Sequence, residues 1–164
     1  MSRKSRWFLS LAPVVLVADA VTKRVADERL QPPHVPHEVL GEFVRFTLTY
    51  NPGAAFSMSL GDHSRWGFTA LTFVMLGVLG YIYRTVERTD AWQGAALGLV
   101  TGGALGNLVD RLRWDRGVVD FIDVGVGDVR FWTFNVADAG VTVGAILLAL
   151  VMLRHSPQPS DATR

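Results

Sequence analysis

The sequence has no cysteine, and charged residues make up only 19% of its 164 residues. Without cysteine the chain forms no disulfide, carries no thiol nucleophile and holds no cysteine-ligated metal. A soluble domain usually carries more charge, about a quarter of its residues. The net charge is only +1, and the basic residues lie at the edges of apolar segments rather than in one patch, so no nucleic-acid partner is expected.

Apolar residues, 49% of the chain, are concentrated in four long segments. About 20 apolar residues in a helix span a bilayer core, and a helix satisfies its own backbone polar groups there. The length fits one domain, residues 1–164. We therefore predict an all-α integral membrane protein with four transmembrane helices, at residues 7–27, 66–84, 91–112 and 133–153.

The first segment also fits a second interpretation. Basic residues at positions 3–6 precede a short apolar stretch that ends in small residues around Ala18 and Ala20. This order of features is typical of a cleavable signal peptide. Three further spans favour an uncleaved first helix, but the sequence alone leaves both interpretations open.

Basic residues near the helix ends predict the orientation. They occur at positions 3–6, at positions 84–88 and at Arg154, which four spans place on one side of the membrane. The positive-inside rule makes that side cytoplasmic, so both termini should be cytoplasmic and the segments 28–65 and 113–132 should face outward. Four arginines run against the rule on the outer side: Arg111, Arg113, Arg116 and Arg130.

The outward segments carry β-strand patterns. Residues 43–50 alternate between apolar and polar side chains, and Asn-Pro-Gly at 51–53 turns the chain. Residues 118–124 and 129–132 form a second candidate, joined by Gly-Val-Gly-Asp at 125–128. We predict a small extracytoplasmic β-sheet at the membrane surface, and a disordered polar tail at 156–164.

The third apolar segment has a row of small residues. Glycine occupies every fourth position from Gly94 through Gly98 and Gly102 to Gly106. Such a row lets a neighbouring helix approach closely. It drifts around the helix by roughly 40° per step, so it suits a helix crossing, and it leads to Asp110.

Carboxylates at membrane depth are costly, so they either pair with a cation or line a functional site. Asp19 and Lys23 are four residues apart and can pair on one helix face. Asp110, next to Arg111 and one turn after Asn107, also has a structural interpretation. Asp138 has no basic neighbour in the sequence, which favours a functional role at least as strongly.

Asp120 interrupts the apolar stretch 118–122, and both interpretations stay open for it. Asp123, nearby, fits the solvent face of the same strand. There is no metal-ligand set, phosphate loop or serine nucleophile elbow. Carboxylates are therefore the best remaining catalysts, and no cofactor or metal is expected.

Five motifs together resemble the lipoprotein signal peptidase family, also called signal peptidase II, from about Asp19 to Leu153. Each motif alone is weak, but five in order on four predicted spans are specific. They are Asp-Ala-Val-Thr-Lys at 19–23, Asn-Pro-Gly-Ala-Ala-Phe-Ser at 51–57, the glycine-rich 102–111, Val-Val-Asp-Phe at 118–121 and Phe-Asn-Val-Ala-Asp at 134–138.

The resemblance implies an aspartic endopeptidase with a catalytic dyad of Asp120 and Asp138. It also implies two further groups. Supporting residues near the substrate or the aspartates would be Asn51, Gly53, Asn107, Arg111, Asn135 and Ala137. Structural charges would be Asp19, Lys23 and Asp110.

The implied substrate is a prolipoprotein, cut just before a cysteine that carries a diacylglyceryl group. The implied location is the bacterial cytoplasmic membrane, with the active site toward the extracytoplasmic face. Membrane lipids would be partners, the protein would act as a monomer, and residues 43–56 would cradle or cover the substrate.

Two features depart from this pattern or compete with it. Asp115 and Arg116 make the loop before Asp120 unusually charged. Gly-Val-Gly-Asp at 125–128 matches a motif of another class of intramembrane protease, but we interpret it as a hairpin turn with Asp128 in solvent. An alternative function is a small transporter or proton-conducting protein that uses the intramembrane aspartates.

Overall fold

Four long helices account for most of this computed structural model, which describes residues 1–55, 58–59 and 64–155. The helices are α1 (Arg3–Arg29), α2 (Ser64–Thr85), α3 (Ala91–Arg113) and α4 (Val136–His155). The prediction of a mostly helical protein with a small sheet is confirmed. The predicted disordered tail at 156–164 lies outside the described residues, as do positions 56 and 57 of the second motif.

Two helices of the described ranges, Ser64–Thr85 and Val136–Arg154, are long and apolar enough to cross a bilayer. The other two predicted spans are less apolar for a physical reason. α1 buries Lys4, Asp19 and Lys23, and α3 is rich in glycine and ends in charged residues. These polar and small residues are buried against other parts of the protein, so the two helices are less apolar along their length than α2 and α4.

The glycine row of α3 packs against α1, as its spacing predicts. A Cβ atom on Gly102 would lie 2.5 Å from the carbonyl oxygen of Ala12, too close for any side chain. A Cβ on Gly106 would lie 2.5 Å from Oδ2 of Asp19. The row therefore allows backbone contact along α1 and ends where α1 carries its buried carboxylate.

α4 crosses another face of α3 by the same means. A Cβ on Gly103 would collide with the carbonyl oxygen of Ala137. Farther along, Gly144 of α4 approaches the carbonyl oxygen of Ala96, where a Cβ would lie 2.8 Å away. α3 is therefore the central helix, with α1 and α4 packed closely on it.

The segments between the helices contain the strands β1 (Pro36–Leu40), β2 (Val44–Asn51), β5 (Val118–Val126) and β6 (Val129–Arg130). They form an antiparallel sheet in the order β1-β2-β5-β6. The short strands β3 (Ala54–Ala55) and β4 (Met58–Ser59) pair separately. Val126 pairs with Val129, so Gly127 and Asp128 form the predicted hairpin turn, with Asp128 exposed.

A short bridge joins the sheet to α4. The backbone of Phe134 accepts hydrogen bonds from the N–H groups of Phe121 (3.0 Å) and Ile122 (2.8 Å), and its own N–H donates to Ile122 at 3.0 Å. Residue 135 is thereby held beside residue 120. The first turn of α4 must begin next to β5.

Three charged residues that the sequence left unexplained, Asp115, Arg116 and Arg130, form ion pairs. Asp115 pairs with Arg65 at the start of α2, and Arg116 pairs with Asp27 near the end of α1 at 2.6 Å. The charged loop thus ties two helices together. The interpretation of Asp123 as a solvent-facing residue was wrong: it is buried, and its carboxylate accepts a hydrogen bond from Nε of Arg130 at 2.6 Å.

We expect Gly102→Ala to lower the free energy of unfolding by about 1–3 kcal/mol, because the added Cβ meets the backbone of α1. This loss should outweigh the gain in helix propensity, about 1 kcal/mol. Gly77→Ala on α2 is the matched control, since nothing lies within 4 Å of its Cβ position. Thermal unfolding in detergent measures both, and equal stability of the two variants would contradict close α1–α3 packing.

Candidate active site

A buried lysine organises the polar interior. Lys23 is 4% exposed, and its Nζ lies 2.8 Å from Oδ2 of Asp19 and 2.9 Å from Oδ2 of Asp110. It also donates to Oδ1 of Asn107 at 2.8 Å. The predicted pair of Asp19 with Lys23 is therefore present, and Asp110 is the second carboxylate of the same cluster. Two acidic groups and one ammonium leave it with a formal charge of −1.

Each carboxylate of this cluster also accepts a hydrogen bond from the backbone. Oδ1 of Asp19 accepts from the N–H of Ala137 at 2.9 Å, and Oδ2 of Asp110 accepts from the N–H of Val119 at 3.2 Å. Ala137 directly precedes Asp138, and Val119 directly precedes Asp120. The lysine cluster thus fixes the backbone next to both aspartates of the predicted dyad.

Asn135 lies between the two aspartates. It is completely buried, and its Nδ2 donates to Oδ1 of Asp120 at 2.6 Å. The same amide nitrogen lies 3.1 Å from Oδ1 of Asn107 and 3.3 Å from the carbonyl oxygen of Val119. The backbone N–H of Asn135 donates to the carboxylate of Asp138, so one asparagine contacts both carboxyl groups, one through its side chain and the other through its backbone.

Asn135 and Asp138 cap the start of α4 reciprocally. Oδ1 of Asn135 accepts from the N–H of Asp138 at 2.9 Å, and Oδ2 of Asp138 accepts from the N–H of Asn135 at 3.2 Å. This is a capping box, in which residues three apart satisfy backbone donors that the helix leaves unpaired. The cap fixes the rotamer of Asp138 and places its charge at the helix end where negative charge is favoured.

Asn107 links the lysine cluster to the dyad. Its Nδ2 donates to Oδ1 of Asp138 at 2.7 Å, while its Oδ1 accepts from Lys23. Lys23 therefore dictates which way the Asn107 amide points, because an ammonium group can only donate. The amide nitrogen is then turned toward Asp138.

Asn51 approaches Asp120 from the neighbouring strand β2. Its Nδ2 lies 3.3 Å from Oδ2 of Asp120, and its Oδ1 accepts from the N–H of Gly53 at 3.0 Å. Gly53 has a φ of 117°, which other residues rarely adopt. Gly117, with a φ of 94°, lies against the carbonyl oxygen of Asn51, where a Cβ would collide. Both glycines hold Asn51 in place.

Arg111 contributes a half-buried positive charge near the aspartates. Its guanidinium lies 5.7 Å from the ring centre of Phe68, and its charge interacts with those of Asp138, Asp120 and Asp110. Its Nε is buried and has no hydrogen-bond partner among the residues that the structure describes. The side chain therefore keeps an unused donor beside the site.

The electrostatics distinguish the two carboxyl groups. Burial, followed by the negative charge of Asp138, raises the pKa of Asp120 to about 7. Hydrogen bonds from Asn135 and Asn51 oppose this shift only in part. Asp120 thus holds its proton below about pH 7. The side chain of Asp138 accepts hydrogen bonds from Nδ2 of Asn107 and the backbone N–H of Asn135.

All of the predicted site residues lie in or next to one connected network. Ala137 is completely buried, so it supports the site through its backbone and its packing rather than through an exposed side chain. Sequence reasoning missed Gly117 and the capping box. The box had a signal, since asparagine followed three residues later by an acid at a helix start is its pattern.

The helices and this site define a class: a helical membrane protein with two carboxyl groups gathered around one buried amide. A family model described as signal peptidase (SPase) II matches residues 11–154. The chain belongs to the signal peptidase II family, and it is a peptidase of a bacterial membrane.

Individual relatives support the same family membership. Lipoprotein signal peptidase of Coxiella burnetii (strain Dugway 5J108-111) is 42% identical over 156 residues, covering 93% of each chain. That of Mycobacterium tuberculosis (strain ATCC 25618 / H37Rv) is 43% identical over 158 residues, covering 92% of this chain and 73% of the relative. A solved bacterial membrane enzyme superposes with a TM-score of 0.81 at 28% identity, covering 96% of this chain and 93% of that one.

We expect Lys23→Met to destabilise the protein by about 3–5 kcal/mol, because Asp19 and Asp110 lose their buried counter-charge. Adding Asp19→Asn and Asp110→Asn to the same variant should restore part of the loss. Arg24→Met, which breaks an exposed pair with Glu28, is the control and should cost less than about 1 kcal/mol. Thermal unfolding compares the variants, and a Lys23→Met protein as stable as the control would contradict the role of the cluster.

Proposed function

We propose that the chain is a membrane aspartic endopeptidase that cuts prolipoproteins just before a diacylglyceryl-modified cysteine. The observation that carries this proposal is the joining of Asp120 and Asp138 through Asn135, at distances of 2.6 to 3.2 Å. Membership of the signal peptidase II family supports the substrate class. The two relatives compared above are both named lipoprotein signal peptidase.

In the proposed topology all four helices span the bacterial cytoplasmic membrane, both termini are cytoplasmic, and the aspartates lie toward the outer face. α1 and α3 run parallel to each other and opposite to the two apolar helices. The basic residues at one set of helix ends, Arg3, Lys4, Arg6, Arg84, Arg88 and Arg154, support a cytoplasmic location for those ends. The arginines on the opposite side are accounted for in part by pairing with Asp27, Asp115 and Asp123. The enzyme would work as a monomer surrounded by lipid.

Hydrolysis would use the dyad as an acid and a base. Asp138, whose carboxyl oxygens accept hydrogen bonds from Asn107 and Asn135, takes a proton from a water molecule, which attacks the scissile carbonyl carbon. Asp120 holds the other proton and donates a hydrogen bond to the carbonyl oxygen as negative charge develops there. When the intermediate collapses, the leaving nitrogen takes its proton from Asp138. The assignment of Asp120 as the acid and Asp138 as the base rests on the burial of Asp120 and the helix cap on Asp138.

Arg111 and Asn51 would position the substrate. The unpaired buried Nε of Arg111 suits a carbonyl oxygen of an extended peptide. Asn51 lies at the end of β2, so the segment 43–56 would cradle the substrate beside Asp120, with position 56 outside the described residues. The diacylglyceryl chains would stay among the membrane lipids while the peptide bond reaches the aspartates.

The transporter hypothesis is less well supported by the arrangement of charges. A proton pathway places acidic groups through the depth of a membrane. Here Asp19 and Asp110 share Lys23, and that cluster contacts the dyad through Asn107. All four carboxylates therefore belong to one site.

We expect Asp120→Asn and Asp138→Asn each to reduce cleavage of a lipidated precursor by about 10³-fold or more, since each removes one half of the acid–base pair. Both variants should insert and unfold like the unmodified protein. Asp128→Asn, in the exposed hairpin turn, is the control and should cleave normally. Gel-based cleavage of purified precursor measures all three, and substantial activity in either dyad variant would refute the mechanism.

Cleavage should fall as the pH rises above about 7, because Asp120 then loses its proton. Asp138→Asn removes a negative charge that raises the pKa of Asp120, so that group should titrate at a lower pH. Infrared spectroscopy of the protonated carboxyl band follows this titration, and Asp120→Asn identifies the band by removing it. An unchanged or higher midpoint in Asp138→Asn would show that the two carboxyl groups are not coupled.

A further inference from the structure

A groove at the far ends of the helices is not used by the peptidase mechanism. It has a volume of about 610 Å³ and lies between the starts of α1 and α3. Its lining includes Arg3, Arg6, Trp7, Ala91, Trp92 and Ala95. Sixteen residues of α3 separate Ala91 from Asn107, about 24 Å along the helix, so the groove is remote from the aspartates.

The lining of the groove has two arginines and no acidic residue among the positions that the structure describes. Arg3 and Arg6 are three apart on α1 and therefore lie on one face. Neither forms an ion pair or a side-chain hydrogen bond with any of the described residues. The nearby acid Asp90 caps α3, accepting from the N–H of Gln93 at 2.8 Å. Two guanidinium groups thus remain available for an anion.

The rest of the groove suits the interface region of a bilayer. Trp7 is 49% exposed and Trp92 is 66% exposed, and both line the groove. Tryptophan is enriched where acyl chains meet headgroups. Ala91 and Ala95 keep the floor apolar and shallow. The exposed apolar side chain of Val14, seven residues after Trp7, continues the same face along α1.

We propose that this groove binds an anionic phospholipid of the membrane. The phosphodiester would accept hydrogen bonds from Arg3 and Arg6, and the acyl chains would lie along the tryptophans and the apolar face of α1. Charge complementarity selects the headgroup, because guanidinium groups pair with phosphate oxygens in a planar, two-point geometry. Basic pockets between membrane helices are known sites for anionic lipid.

The test uses the full chain in nanodiscs of phosphatidylglycerol mixed with phosphatidylcholine. Native mass spectrometry after mild detergent extraction counts the lipids that stay bound. The unmodified protein should retain phosphatidylglycerol, and Arg3→Gln with Arg6→Gln should lower its preference over phosphatidylcholine by about tenfold. Ala91→Trp, which fills the groove and keeps both arginines, should lower retention similarly.

Arg84→Gln with Arg154→Gln is the matched control. It removes the same charge from exposed positions at the same set of helix ends, away from the groove, and should retain lipid as the unmodified protein does. An equal loss in this control would show general surface attraction and overturn the proposal. Retention unchanged in both groove variants would overturn it too, as would displacement of the lipid by soluble glycerol phosphate at equal concentration.

Discussion

The ion cluster around Lys23 is the interaction on which the site depends. One buried ammonium is shared by Asp19 and Asp110, and each carboxylate uses a remaining lone pair to hold a backbone N–H group. Buried ion pairs contribute little to stability by themselves, because desolvation offsets the attraction. Their value here is positional: they fix the backbone one residue before each aspartate of the dyad.

Close helix packing makes this cluster possible. Lys23 of α1 can reach Asp110 of α3 only because glycines in α3 admit the backbone of α1, and the Asp19 carboxylate occupies the space beside Gly106. The backbone bridge at Phe134 sets the distance between β5 and α4. Asn135 then satisfies both carboxyl groups while capping the helix, so one side chain serves structure and chemistry.

Much of this could be predicted from the sequence, and the remainder has physical reasons. Alternation of polar and apolar residues located β2, and a short apolar stretch located β5. The four-residue spacing of glycine identified the packing face of α3. The spacing of Asp19 and Lys23 revealed one pair, but the contact with Asp110 joins different helices and leaves no local pattern. The burial of Asp123 was not predicted because its partner Arg130 lies across a hairpin. The sequence of α1 is only weakly apolar because its polar residues are buried.

Isotope labelling of the cut ends tests most directly whether the two aspartates act together on water. A lipidated precursor is cleaved in a single turnover in ¹⁸O-labelled water with hydroxylamine present, and the released signal peptide is analysed by mass spectrometry. A water-activating dyad predicts one ¹⁸O atom in the new carboxylate and no hydroxamate. A hydroxamate product would reveal a covalent acyl-enzyme and contradict the dyad mechanism.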